Sequence, residues 1–251
     1  VAAFARAGGR TVVDPTCRGI GRDPGKLRAI SAATGLQVVM GAGYYLHSSF
    51  PEGFGRLSAD AIADEIVAEA LEGVDGTDAR IGLIGEIGVS SDFTEGEERS
   101  LRGAARAMVR TGLPLMVHLP GWFRLGHRVL DLVEEEGGDP AATVLCHMNP
   151  SHGDPAYQQG LAARGAFLEF DMIGMDYFYA DQQVQCPSDE EVARAVLSLA
   201  QAGFADRLLL SQDVFIKMML TRYGGNGYAF VVNHFLPRLR HDLVDRGISL
   251  H

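Results

Sequence analysis

Residues 109–121 read VRTGLPLMVHLPG: a helix-like segment, a glycine, an unbroken apolar run, then a histidine. Gly112 is placed as the left-handed residue that ends a helix. The apolar run after it lacks polar alternation, which marks a parallel strand buried on both faces. Four more stretches repeat the pattern: ARAGGRTVVD, AATGLQVVM, AARGAFLEF and AQAGFADRLLL, with Gly8 or Gly9, Gly35, Gly165 and Gly203 in the place of Gly112. Seven strands can be drawn in all, at 11–16, 36–43, 80–88, 113–119, 142–148, 166–173 and 207–213.

Amphipathic helices fill the intervals. Ser58 caps one that carries Ile62, Ile66, Val67 and Leu71 along one face, and Ser188 with Glu191 forms a capping box ahead of Val192, Val196 and Leu199. Segments 95–110 and 123–136 supply two further crossovers. Strict alternation of strand and helix means either an open doubly wound sheet or a closed barrel. Seven strands preceded by the last turns of a helix predict a (β/α)8 TIM barrel lacking its first strand and its last helix. The opening VAAFARAGG has no Met and fits that reading, so residues 1–251 are expected to be one barrel domain cut at both ends.

Composition narrows the function. With 47% hydrophobic and 22% charged residues the chain can bury one substantial core. A formal charge of −10 without a cluster of Lys and Arg argues against a nucleic-acid partner. No apolar run approaches the ~20 residues of a membrane helix, and the start lacks a signal peptide's basic and apolar regions. Cys17, Cys146 and Cys186 are too scattered for a disulfide framework or a zinc finger, so a cytoplasmic compartment is expected. The two near strand ends, Cys17 and Cys146, read as small packing residues.

In a barrel of this kind the catalytic groups sit where strands end. Four ends carry metal-ligand types: RIGLIGEIG delivers Glu86, LPLMVHLP delivers His118, TVLCHMNP delivers His147 and RLLLSQDV delivers Asp213. Singly, a strand-end His or Asp is ordinarily a hydrogen-bonded core or rim residue. Together they point to a site, because an acid behind four or more apolar residues is costly to bury without a charge partner or a metal.

At these residues the sequence resembles the phosphotriesterase-related branch of the amidohydrolase superfamily, which includes lactonase-like and resiniferatoxin-binding members. The resemblance rests on GRD (Gly21–Asp23), GAGYY (Gly41–Tyr45), GEIG (Gly85–Gly88), VHLPG (Val117–Gly121), CHMNPSHGD (Cys146–Asp154), SQD (Ser211–Asp213) and YGGNGY (Tyr223–Tyr228), in order over nearly the whole chain. It implies a metal-dependent hydrolase in which Glu86 bridges two divalent ions, His118 and His147 bind one of them, and Asp213 is both a ligand of the other and the general base. Glu86 stands where better-known members carry a carbamylated Lys. Zinc is the expected metal, with manganese, cobalt or iron as alternatives. The family's His-x-His at the end of its first strand has no counterpart in these residues, so at most one ion is expected to be held tightly.

The resemblance also implies water activation for attack on a lactone, ester or amide carbonyl. Tyr45 stands where lactonase members carry a Tyr and phosphotriesterases proper tend to carry Trp; it either serves the substrate or simply packs on the rim. Trp122 and Phe123 are placed to wall the pocket. The loop 214–228 is the expected specificity element, with Lys217 or Arg222 as receptors for an anionic group. His152 is expected to orient a ligand or shuttle protons, and His127 and His241 to be surface residues. Two other readings stay open: phosphotriester hydrolysis, and a barrel that binds a small ligand without turnover. The expected partner is a small-molecule substrate, with a homodimer as an open option.

Overall fold

The structure is a computed structural model that describes residues 1–180 and 182–245. Residues 246–251, where the sequence reading places the break before the last helix, lie outside the described residues.

Chain order is α1 (Ala2–Arg6), β1 (Thr11–Asp14), α2 (Pro24–Thr34), β2 (Gln37–Met40), α3 (Ala59–Leu71), β3 (Ile84–Gly88), α4 (Glu95–Thr111), β4 (Leu115–His118), α5 (Gly126–Glu135), β5 (Thr143–Leu145), α6 (Pro155–Ala163), β6 (Phe167–Phe170), a hairpin β7 (Phe178–Tyr179) and β8 (Val184–Gln185), α7 (Asp189–Leu199), β9 (Leu208–Leu210) and α8 (Leu236–Asp245). All seven expected strands are present, each shorter than its apolar run. The hairpin was not anticipated, and the expected helix 123–136 begins only at Gly126 because Trp122 to Leu125 turn over the mouth first.

Every strand-to-strand pairing outside the hairpin is parallel, and one isolated antiparallel bridge links Ala42 to Gly85. β1 pairs with β2, and β3, β4, β5, β6 and β9 form a five-stranded sheet in that order. Backbone bonds from Gly82, Gly85 and Gly88 to Met40, Ala42 and Tyr44 join the two sheets beside β3. The result is seven consecutive staves of a (β/α)8 barrel with helices outside, as the right-handed βα repeat requires. Its core is continuous: Ile84, Ile87, Leu115, Val117, Leu145, Leu168 and Phe170 are fully buried against Ile62, Ile66, Leu101, Leu130 and Val133 of the surrounding helices.

The two outermost staves depart from the expectation of burial on both faces. Val13 in β1 is 47% exposed and Leu209 in β9 is 36% exposed, since each strand has a neighbour on one side only among the described residues. Leu71, expected on the buried face of α3, is 61% exposed at the helix end. The glycine signals hold: Gly8, Gly35, Gly112, Gly165 and Gly203 all have positive φ. Both expected caps form as well, Ser58 on Ala61 and the Ser188–Glu191 box. α4 has a further capping box, Thr94 with Glu97, whose buried carboxylate also accepts from the backbone of His47 and from Ser90. That carboxylate ties the loops leaving β2 and β3 to one helix start.

Candidate active site

Parallel strands end at one face, and the side chains that leave those ends meet there. His147 Nε2 lies 2.7 Å from His118 Nδ1 and 3.2 Å from Glu86 Oε1, and His118 Nδ1 lies 3.6 Å from the same carboxylate oxygen. The three are each only 11–16% exposed at the side chain. Tyr45, from the continuation of β2, places its hydroxyl 3.1 Å from His118 Nδ1 and its ring edge-on to that imidazole.

The electrostatics follow from this crowding. Burial drives the Glu86 carboxyl toward neutrality, but hydrogen bonding to the imidazoles of His118 and His147 outweighs it and holds the group well below the usual carboxylate range. His147 is pushed well above the usual imidazole value because Asp171 and Glu86 outweigh its burial, whereas burial and the neighbouring His147 lower His118. Asp213, at the end of β9, is pushed up to about 7 by burial and by the charges of Asp171 and Glu86. Burial, with the charges of Glu86 and Asp213, raises the Tyr45 phenol far above its ordinary value. Asp213 therefore shares the electrostatic field of the cluster while standing outside the three-donor group.

Two of these residues have strained backbones. His147 has φ +58° and Asp213 φ +40°, left-handed values that non-glycine residues seldom adopt and that concentrate at functional sites. One nitrogen from each His and one oxygen of Glu86 converge within 4.8 Å, a donor set of two imidazoles and a carboxylate suited to a divalent ion such as zinc. Their separations are within the ~4 Å that two ligands at ~2.0–2.2 Å from one ion can span. The donor chemistry fits a metal.

Other sequence candidates fall elsewhere. Trp122 packs edge-on to Tyr179 in a second apolar cluster over the mouth with Met172, Met175, Cys186 and Met219. Lys217 and Arg222 are exposed on the loop after β9, with no side-chain ion pair or hydrogen bond among the described residues; Arg222 lies over the Tyr223 ring. His152 turns away from the centre, its Nδ1 3.1 Å from the Asn149 carbonyl and its Nε2 3.9 Å from Glu191, in a groove between α6 and α7. The group that bonds a cluster histidine from behind is Asp171, 2.9 Å from His147 Nδ1. The sequence reading passed over it, although FLEFD is another apolar run that ends in an acid.

Beneath His147 lies a further buried set. The Cys146 thiol donates to Glu169 at 3.4 Å, and Glu169 is pushed up to about 8 by burial and by the charge of Asp171. Burial raises both Cys17 and Cys146, which leaves the thiols as buried packing groups. His127 packs on Tyr157, and His241 is exposed.

The chain is similar to known proteins in sequence and in fold. The sequence pattern of the phosphotriesterase family matches residues 1–249. The chain is 35% identical over 248 residues to the N-acetyltaurine hydrolase of Danio rerio, covering 98% of this chain and 70% of that protein. A resiniferatoxin-binding protein of Rhodobacter sphaeroides superposes with a TM-score of 0.95 at 80% identity, over 96% of this chain and 67% of its own. A substituted form of a phosphotriesterase-like lactonase of Deinococcus radiodurans superposes at 0.83 with 30% identity, over 99% and 79%.

Proposed function

The chain belongs to the phosphotriesterase family, and from that premise we propose that this hydrolase uses a divalent metal and water to cleave a carboxylic acyl bond, an amide, lactone or ester. The observation that carries the reading is the convergence of Glu86, His118 and His147 with the Tyr45 hydroxyl on one of the imidazoles. Relatives named for an N-acyl amide and for lactones favour carbonyl substrates over phosphotriesters.

Glu86 Oε1, His118 Nδ1 and His147 Nε2 would hold the ion, zinc before manganese, cobalt or iron. Such an ion supplies Lewis acidity, acidifying water and polarising the acyl oxygen. Asp213, the carboxylate that follows β9 beside the cluster, takes the proton from the attacking water. It is also the ligand proposed for a second ion. Burial and the charges of Glu86 and Asp213 raise the Tyr45 phenol, which suits its hydroxyl to act as a hydrogen-bond donor rather than as a base. Trp122 and its apolar neighbours wall the acyl group, and Lys217 and Arg222 at the rim would meet an anionic end.

The 80% identity to a resiniferatoxin-binding protein favours one other reading, ligand binding without turnover. A single assay separates them. Protein stripped with chelator and reloaded with zinc is offered N-acetyltaurine, γ-lactones, aryl esters and a phosphotriester. Zinc-dependent turnover of the carbonyl compounds is expected, with about one tightly held ion per chain by metal analysis. Saturable binding with no turnover of any compound would decide for the binding protein.

A further inference from the structure

We propose that Asp171 is the positioning residue of the centre: it fixes His147 in the ring orientation and tautomer that turn Nε2 toward Glu86 and His118. The geometry stands by itself, and its consequence for metal binding rests on the reading above. Asp171 leaves the end of β6, the stave next to the one that delivers His147. Its Oδ1 lies 2.9 Å from His147 Nδ1, and the backbone N–H of His147 donates to both carboxylate oxygens, at 3.2 and 3.0 Å. One carboxylate grips the same residue at the main chain and at the ring.

Each grip answers a need. At φ +58° the His147 main chain is in a conformation that L-residues avoid, and capture of its N–H by a buried acceptor opposes relaxation to an ordinary strand geometry. At the ring, an ionised carboxylate can only accept, so in the neutral imidazole that binds a metal the hydrogen resides on Nδ1 and the Nε2 lone pair is left for the other side. Nε2 there faces Glu86 at 3.2 Å and His118 at 2.7 Å. Asp171 is 4% exposed, and among the described residues its side-chain hydrogen bonds all go to His147. His152 cannot substitute for it, since it faces the groove between α6 and α7.

The test compares wild type, Asp171→Asn, Asp171→Ala and Glu86→Gln. Zinc affinity is read by competition with a chromophoric chelator, site geometry by the visible bands of the cobalt-loaded protein, and fold by circular dichroism of the metal-free forms. Loss of the outer carboxylate should weaken zinc binding ~10–100-fold in Asp171→Ala and shift the cobalt bands. Asp171→Asn, which keeps one acceptor oxygen, should fall between that variant and wild type. Wild-type affinity and an unchanged cobalt spectrum in Asp171→Ala, with binding abolished in Glu86→Gln, would overturn the role of Asp171 and leave the metal reading intact. Absence of zinc binding in wild type would remove the metal reading instead. The positioning role is then judged by long-range proton–nitrogen correlation of the metal-free wild type at alkaline pH: His147 protonated at Nδ1 supports it, and protonation at Nε2 refutes it.

Discussion

His147 and Asp213 combine a left-handed backbone with a functional side chain, and the strain is stable only because their surroundings fix it. For Asp213 the chemical claim is direct. Asp213→Asn keeps volume and removes the proton acceptor, so kcat should fall by ~10²–10⁴-fold with the circular dichroism spectrum unchanged; turnover near wild type would end the assignment. Glu169 offers a test without substrate. Its folded value, about 8, lies above the ordinary 4.5, so the folded state binds the proton that the unfolded state has released between these values. Its contribution is fully present below about 4.5, fades as pH rises toward 8, and remains as a burial penalty above. Glu169→Gln stays neutral throughout. Its midpoint of thermal unfolding, relative to wild type, should climb by several degrees from pH 5 to pH 8 and then level off, whereas a difference constant with pH would show that the carboxyl ionises normally.

At the scale of elements, the glycines that end helices were legible because one residue type answers one backbone demand. Gly112 closes α4 at φ +70°, and a Cβ built there meets nothing within 4 Å. Gly112→Ala should therefore cost about 1–2 kcal/mol, the left-handed penalty alone, read as a lower urea midpoint at unchanged slope; a neutral effect would mean that the helix end relaxes. The strand ends were legible for a similar reason, since an acid or His behind an apolar run has few structural explanations. What stayed hidden was reach. Nothing in FLEFD says that Asp171 crosses to the neighbouring stave, and nothing in SHGD says that His152 turns outward. Both depend on side-chain direction at a loop, which spacing along the chain does not encode. Glu97 is similar: the helix was read, but not the carboxylate that gathers the loops of His47 and Ser90 onto its first turn.

Across the whole molecule, the staves bring Glu86, His118 and His147 together from β3, β4 and β5, three neighbours in one sheet. A ligand bound there fastens those staves across their ends, and it binds only where they are assembled. Linkage then requires the ion to stabilise the fold by RT ln(1 + [L]/Kd), about 2.7 kcal/mol at a hundredfold excess over Kd. For a domain of this size that is a rise of roughly 5–10 °C in the unfolding midpoint. Chelator should lower the midpoint of the purified protein by that order, zinc should restore it, and the restored value should keep rising with the logarithm of free zinc. Glu86→Gln removes the charge that draws the ion to the two imidazoles, and it should abolish the zinc-dependent rise whatever the midpoint of its metal-free form. A zinc response that survives in Glu86→Gln would place the ion elsewhere in the barrel, and with it the chemistry assigned to these strand ends.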